Sequence, residues 1–279
     1  MEPQPDLVVT VGPWGWPGGR RPTRVHVYVS NLLRLAPLQP GRWHWKVRWG
    51  LAAALSEGLA ARGAIAVAIS EQAAEDAARV YRARVEAVVA LGVDTQLFRP
   101  REQALARRNL GLAPAGPYGL FVGRGEPSKG PDLALAACQR VGWELLSAGS
   151  RPVPGSRALG VLPAEELAWA YAAADAVVLP TAYEGGGYAV IEALAAGVPV
   201  VTTPVGLARE LGRRVPTYRP LLVPRDVAAL AGALESIAAG RAEAAVAEAR
   251  AVVLEHYSLA AFEQRWRELL ARIRRDSGE

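Results

Sequence analysis

From residue 119 onward, short β-branched or apolar runs alternate with Ala/Leu-rich stretches of ten or more residues. That alternation is the pattern of βα units around a parallel sheet. "GLFVG" (119–123) reads as a strand, "PDLALAACQRV" as a helix whose Pro131 and Asp132 suit a first turn, and "WELLSAG" (143–149) as the next strand. "RALGVL" is a short strand, and Pro163, Glu165 and Glu166 open the helix "AEELAWAYAAA". "DAVVLP" (175–180) is a buried strand, "YAVIEALAAG" a helix closed by Gly197, and "VPVVTTP" another strand. Beyond Asp226 the composition turns helical, ending in a charged, amphipathic helix over roughly 258–275.

The front of the chain is less regular. "DLVVTVG" and "RVHVYVS" read as strands, "KVRWGLAAALSEGLAARG" as a helix, "AIAVAIS" as a strand, "EQAAEDAARVYR" as a helix and "VEAVVAL" as a strand. This is a smaller α/β unit. A break falls near "GVDTQLFRPREQ" (92–103), which places one domain over 1–98 and a second over 99–279. The sequence has no internal repeat or low-complexity tract.

Composition narrows the chemistry. The 279 residues hold a single cysteine, Cys138, and three scattered histidines, so neither a disulfide nor a histidine or cysteine metal cluster is expected. No basic-then-apolar leader opens the chain, and the uncharged run Ala193 to Ala208 is broken by Gly197, Pro199, Pro204 and Gly206. A cytoplasmic protein is the expectation.

Of the 32 basic residues only Lys46 and Lys129 are lysine. Between Asp6 and Glu57 no acid occurs, yet Arg20, Arg21, Arg24, Arg34, Arg42, Lys46 and Arg48 do, with five of the eight tryptophans. The favoured reading packs those tryptophans into a core with the arginines in water. The other makes residues 14–50 a peripheral contact with the inner face of a membrane, through cations on phosphate and tryptophan at an interface. No nucleic-acid partner is indicated.

In an open parallel sheet, ligands bind beyond the carboxyl ends of strands, where helix N-termini present free N–H groups. Two loops qualify. "GRGEPSKG" (123–130) offers Gly123, Gly125 and Gly130 for tight backbone, with Arg124 and Lys129 able to converge on a diphosphate. The alternative is an exposed turn with two solvated charges. "TAYEGGGY" (181–188) carries Glu184, then Gly185, Gly186 and Gly187, and Glu192 lies one to two turns into the following helix. Eight residues turn a helix by only about 80°, so both carboxylates can face one cleft and accept hydrogen bonds from sugar or ribose diols. On spacing alone a solvated Glu192 and a surface ion pair at Glu184 stand equally well.

"GLFVGRGEPSKGPDLALAA", "AEELAWAYAAADAVVLPTAYEGGGYAVIEALAAGVPVVTTPVGLARE" and "ALGVDTQLFRP" together resemble successive blocks of the retaining GT-B glycosyltransferases of family 4, over roughly residues 65 to 279. The resemblance implies an α/β fold of two Rossmann-like parallel-sheet domains with a C-terminal crossover helix. It implies that Arg124 and Lys129 contact the diphosphate of a nucleotide-sugar donor, Glu184 the transferred sugar and Glu192 the ribose, with backbone amides of Gly185 to Gly187 on the sugar and phosphates. Catalysis would rest on Glu184, Arg124 and Lys129, with no metal and no further cofactor, moving a sugar to a glycan or lipid-linked hydroxyl acceptor.

Three positions depart from the family pattern. Gly186 stands where an aromatic is usual, Leu91 where Asn precedes "GVD", and Leu207 where the next motif has a second glycine, although Glu210 stands where the following acid is expected. Family N-terminal domains are also longer and open on a strand, a Gly-Gly loop and a helix. Here Gly18-Gly19 is followed by a strand-like run, so it reads as a turn, and the first domain as incomplete. His26 falls inside that run, with Ser30 and Asn31 nearer its end. A chain of this form is expected to bind donor and turn over slowly. The rivals are a donor-binding subunit or inactive form that needs a partner chain, and, less fitting, an epimerase or phosphorylase.

Overall fold

The computed structural model describes residues 7–11, 23–29 and 42–276. The Gly18-Gly19 turn, Ser30, Asn31 and the first two tryptophans, Trp14 and Trp16, lie outside the described residues. The chain divides into two compact units: Met1–Leu91 with Tyr183–Gly186 and Glu263–Glu279, and Gly92–Ala182 with Gly187–Phe262.

The first unit is built on four parallel strands in the order β1 (Leu7–Val11), β2 (Thr23–Tyr28), β3 (Ile65–Ala68), β4 (Val85–Val88). Helix α1 (Trp43–Ala60) connects β2 to β3, and α2 (Glu71–Tyr81) connects β3 to β4. Helix α2 starts where its sequence says it should: Ser70 is extended and its Oγ accepts from Ala73 N at 3.0 Å, satisfying a first-turn donor. It ends at Arg82, whose φ of 52° is left-handed, a conformation that costs any residue with a Cβ. Inside the unit, His26 is fully buried. Its Nδ1 lies 2.9 Å from Thr10 Oγ1 and its Nε2 3.9 Å from Glu57 Oε1, while Tyr81 donates to Glu57 Oε2 at 2.5 Å.

Helix α1 overturns the expectation for its tryptophans. Trp43, Val47, Leu51, Leu55 and Leu59 recur every four residues and form a ridge in water, with Trp43 75% and Leu55 68% exposed. Trp45 and Trp49 are exposed beside it. The side turned inward holds Gly50, Glu57 and Ala60 instead. The buried positions begin at Gly50, so the first two turns, which carry Trp43, Trp45 and Trp49, bury no residue.

The second unit carries α3 (Gln103–Asn109), β5 (Tyr118–Val122), a 3-10 turn at Pro127–Lys129, α4 (Pro131–Arg140), β6 (Glu144–Ala148), β7 (Arg157–Gly160), α5 (Ala164–Ala173) and β8 (Ala176–Leu179). It continues through α6 (Tyr188–Ala195), β9 (Val200–Thr202), α7 (Leu207–Arg214), a 3-10 turn at Pro216–Leu221, α8 (Val227–Ala238) and α9 (Glu243–His256). The last helix, α10 (Leu259–Asp276), begins in this unit and ends in the first. The five strands are all parallel in the order β7-β6-β5-β8-β9, so the winding reverses between β5 and β8.

Local chemistry explains several choices. Gly119 sits in β5 because a Cβ there would lie 2.5 Å from Cys138 Sγ. Burial pushes the Cys138 thiol up to about 12, which keeps it inert. Arg107 donates to Ala173 O, to Pro114 O and to Asp175 Oδ2 at 3.1, 2.6 and 2.7 Å, and Tyr118 N donates to the same Asp175 oxygen at 2.7 Å. That node pins α3 and the entry to β5 against the end of α5.

The division differs from a single cut between 98 and 99. Val93 N donates to Tyr257 O at 2.7 Å, Leu259 N donates to Val93 O at 3.0 Å, and a Cβ on Gly92 would meet Phe262 Cβ at 2.7 Å, so 92–98 belong to the second unit. In the first unit, Arg272 donates to Glu86 O at 3.2 Å and Ile273 is buried, which ties the end of α10 there.

Candidate functional site

The winding of the second sheet singles out two loops. The loop after β5 (123–130) and the loop after β8 (from Pro180) leave the carboxyl ends of the two strands that flank the reversal, the position where open α/β sheets bind ligands. Their backbones are joined. Ala182 N donates to Ser128 O at 2.7 Å, and Arg225 spans both loops, Nε to Pro180 O at 2.8 Å and an Nη to Pro127 O at 2.6 Å. Gly130 caps α4 with φ 68°, and a Cβ on it would fall 2.6 Å from Pro180 O. Only glycine permits that approach.

Of the residues singled out in the first loop, Arg124 is 73% exposed in its side chain, with an Nη 3.6 Å from Glu126 Oε1. That is a weak, solvent-screened pair that a stronger anion can displace. Lys129 ends the 3-10 turn, directly before the Gly130 cap, and is half-buried.

Glu192 lies in the second turn of α6, which begins after Gly187 at φ 132°. It is held, not solvated: Tyr171, fully buried on α5, donates its hydroxyl to Glu192 Oε2 at 2.8 Å. Burial raises the Glu192 carboxyl above the usual carboxylate range, and the Tyr171 hydrogen bond pulls it partly back. The same carboxylate, after burial, raises the phenols of Tyr171 and of Tyr188.

Glu184, Gly185 and Gly186 fall in the first unit, whereas Arg124, Lys129, Gly187 and Glu192 fall in the second. Within the first unit the 183–186 segment is fastened to α2. Ser70 Oγ donates to Gly185 O at 2.6 Å, Gln72 Nε2 to Glu184 O at 3.3 Å, and Tyr183 OH to Asp76 Oδ2 at 3.0 Å. Gly186 has a packing reason to be glycine: a Cβ there would lie 2.6 Å from Leu91 Cδ1 and 3.2 Å from Ile69 Cδ1. Two of the departures from the family pattern, Gly186 and Leu91, are therefore spatial partners. The N–H groups of Gly185 and Gly186 find no acceptor among the described residues, although both glycines are buried. Orphaned buried amides are rare, and such groups suit the oxygens of a ligand.

Sequence reasoning passed over Arg225, Tyr171, Ser70 and Gln72. Arg225 follows a proline at no motif position, and Tyr171 reads as one more ring in an apolar helix. Ser70 signals a helix cap, but its second bond, 115 residues away, has no local signature.

Among the described residues no group of three or more His, Cys, Asp or Glu is placed to hold a metal ion. No helix among them is long and apolar enough to cross a membrane.

Residues 116–239 match the family model described as "Glycosyl transferases group 1". The D-inositol 3-phosphate glycosyltransferase of Segniliparus rotundus is 36% identical over 185 residues, covering 56% of this chain and 41% of that protein. The protein of the same description from Mycobacterium marinum is 32% identical over 221 residues, covering 72% and 47%. The chain thus spans less than half the length of these relatives. Among solved structures, sucrose-phosphate synthase from Thermosynechococcus elongatus superposes with a TM-score of 0.75 at 26% identity, covering 91% of this chain and 69% of that one. Anabaena HepE, in complex with UDP and glucose, gives 0.72 at 18% identity, covering 90% and 72%. With two parallel sheets and these superpositions, the chain has the GT-B fold, and its residues 116–239 are similar to group 1 glycosyl transferases.

Proposed function

We propose that the chain transfers a sugar, with retention of anomeric configuration, from a nucleotide-diphosphate sugar to a hydroxyl acceptor. The observation that carries this reading is the junction of the two loops at the β5/β8 reversal. One bears Arg124 and Lys129, and the other leads to a helix bearing a carboxylate fixed by Tyr171. Arg124 and Lys129 would bind the donor diphosphate as a planar fork and a point charge. The free oxygen of Glu192 would accept from the ribose hydroxyls, Glu184 from the transferred sugar, and the amides of Gly185 to Gly187 would meet sugar and phosphate oxygens.

In the reaction so read, the acceptor oxygen forms its bond to the anomeric carbon on the face from which the diphosphate departs. The bond from that carbon to the phosphate oxygen breaks, and the departing diphosphate oxygen takes the acceptor proton. The protein's contribution is orientation of the two partners and stabilisation of the charge that grows on the diphosphate. The cations at 124 and 129 supply that stabilisation without a metal. A uridine donor is the first to try, since Anabaena HepE was solved with UDP and with UDP-glucose.

In this reading the enzyme is cytoplasmic and works at a membrane on a lipid-linked acceptor, and the exposed ridge of α1 fits the membrane contact. Trp43, Trp45 and Trp49 stand beside Arg42, Lys46 and Arg48, with no acid until the buried Glu57. Apolar rings beside cations, in a stretch of sequence with no acid between Asp6 and Glu57, suit an anionic lipid surface. The test of the donor reading is a thermal-shift screen of nucleotide sugars, in which bound donor raises the melting temperature by mass action. A chain whose melting temperature is unmoved by any uridine, guanosine or adenosine diphosphate sugar at millimolar concentration does not have this function.

A further inference from the structure

We propose that Ser70 and Gln72 are positioning residues that set which way the peptide groups of the Glu184–Gly186 segment face. The inference rests on the donor reading above for what those groups bind. Ser70, Gln72, Asp76 and Tyr183 are all more than nine-tenths buried, a dense polar set around a four-residue segment. Burial of that many polar groups is costly unless each is bonded, and the bonds here converge on two consecutive carbonyls, Glu184 O and Gly185 O.

A trans peptide is planar, with its C=O and the next N–H pointing in opposite directions. Gln72 draws the Glu184 carbonyl toward α2 and so sends the Gly185 N–H away from it. Ser70 draws the Gly185 carbonyl and sends the Gly186 N–H away. These are two buried amides without an acceptor among the described residues. Without side chains at 185 and 186, nothing local restrains those two planes from flipping. Tyr183 on Asp76 and the close fit of Gly186 against Leu91 anchor the segment at either end. The α2 N-terminus thus acts as a template for an amide pair aimed at the transferred sugar, a role distinct from that of the diphosphate cations.

The experiment compares Gln72→Met, Ser70→Ala and Ser70→Thr in the full chain, by hydrogen exchange and by calorimetry with UDP and with UDP-glucose. Gln72→Met and Ser70→Ala are expected to speed exchange of the peptide covering 182–188. They should also weaken UDP-glucose binding roughly tenfold, the equivalent of one neutral hydrogen bond, while UDP affinity stays unchanged. Ser70→Thr, which keeps both the cap and the donor, should behave as wild type. Unchanged exchange in that peptide for both disruptive variants would overturn the proposal, and so would an equal loss of UDP and UDP-glucose binding, which marks general damage. If wild type binds neither probe, the uridine-donor reading fails by itself, and the exchange data alone decide the question of the template.

Discussion

Tyr171 and Glu192 sit on different helices of the second unit, and the buried phenol donates to the carboxylate at 2.8 Å. One carboxylate oxygen is therefore committed to the protein, and the carboxylate's orientation is fixed before any ligand arrives.

That bond has a pH signature. Burial raises the Glu192 carboxyl and Tyr171 lowers it, so the native state still holds this proton at a pH where an unfolded chain has lost it. Stability contributed by Glu192 consequently falls as pH rises through that window, and Glu192→Gln should abolish this slope. In the proposed function nucleotide binding runs the other way, since the ionised form would accept from ribose hydroxyls, and affinity should drop on acidification. In Tyr171→Phe the lowering bond is gone and the carboxyl rises further. The acid limb of nucleotide affinity is then expected at higher pH than in wild type, and titrations that superpose would count against the bond's role.

Lys129→Ala and Glu192→Ala should each weaken nucleotide-sugar binding by about 1–3 kcal/mol, the cost of a charge-assisted hydrogen bond. Arg124→Ala should cost little stability in the absence of ligand, because its exposed side chain makes, among the described residues, a solvent-screened pair with Glu126 at 3.6 Å. Calorimetry showing unchanged affinity in both Lys129→Ala and Glu192→Ala would remove them from the site.

Leu91 and Gly186 form a fitted pair. Gly186→Ala places a methyl within 2.6 Å of Leu91 Cδ1 and is expected to destabilise the fold by about 1–3 kcal/mol. Adding Leu91→Ala should recover part of that loss, because the offending methyl groups are then absent. Chemical denaturation of the two single variants and the double variant measures the coupling, and strictly additive effects would contradict it.

The outer ridge of α1 predicts lipid binding. The chain should co-sediment with vesicles containing phosphatidylglycerol and less with pure phosphatidylcholine, with a blue shift of tryptophan emission. Replacing Trp43, Trp45 and Leu55 by serine should abolish both signals while leaving the melting temperature within a degree or two, since all three are exposed. A wild-type chain that ignores anionic vesicles, or self-associates through this face in a concentration-dependent way, would show that the ridge serves another purpose.

Most of the architecture could be read from the sequence because its strands are short, mostly apolar and separated by Ala/Leu-rich helices. β5, β6, β8 and β9 all coincide with the runs expected. Helix α3 escaped notice because "QALARRN" has no apolar period, and it is held instead by one buried arginine, Arg107, reaching Asp175 across 68 residues. For the proposed site, the family resemblance and not spacing singled out Arg124, Lys129, Glu184 and Glu192, and nothing local in the sequence pointed to the side chains that surround them. Tyr171 meets Glu192 only through the tertiary fold of the second unit, and Ser70 meets Gly185 only because the chain returns to α2 after more than a hundred residues. The tryptophans misled for the opposite reason. Their composition suggests burial, but they fall in the first two turns of α1, ahead of its first buried residue, Gly50.

Arg225 bridges the two loops through their backbone oxygens. By holding Pro127 O and Pro180 O at once, its guanidinium fixes the separation of the two loops during folding. The entropy lost in ordering them is charged to the formation of the unit and not to the encounter with a ligand. A donor then meets a rigid mouth, so differences among nucleotides should appear in how long each stays rather than in how fast it arrives.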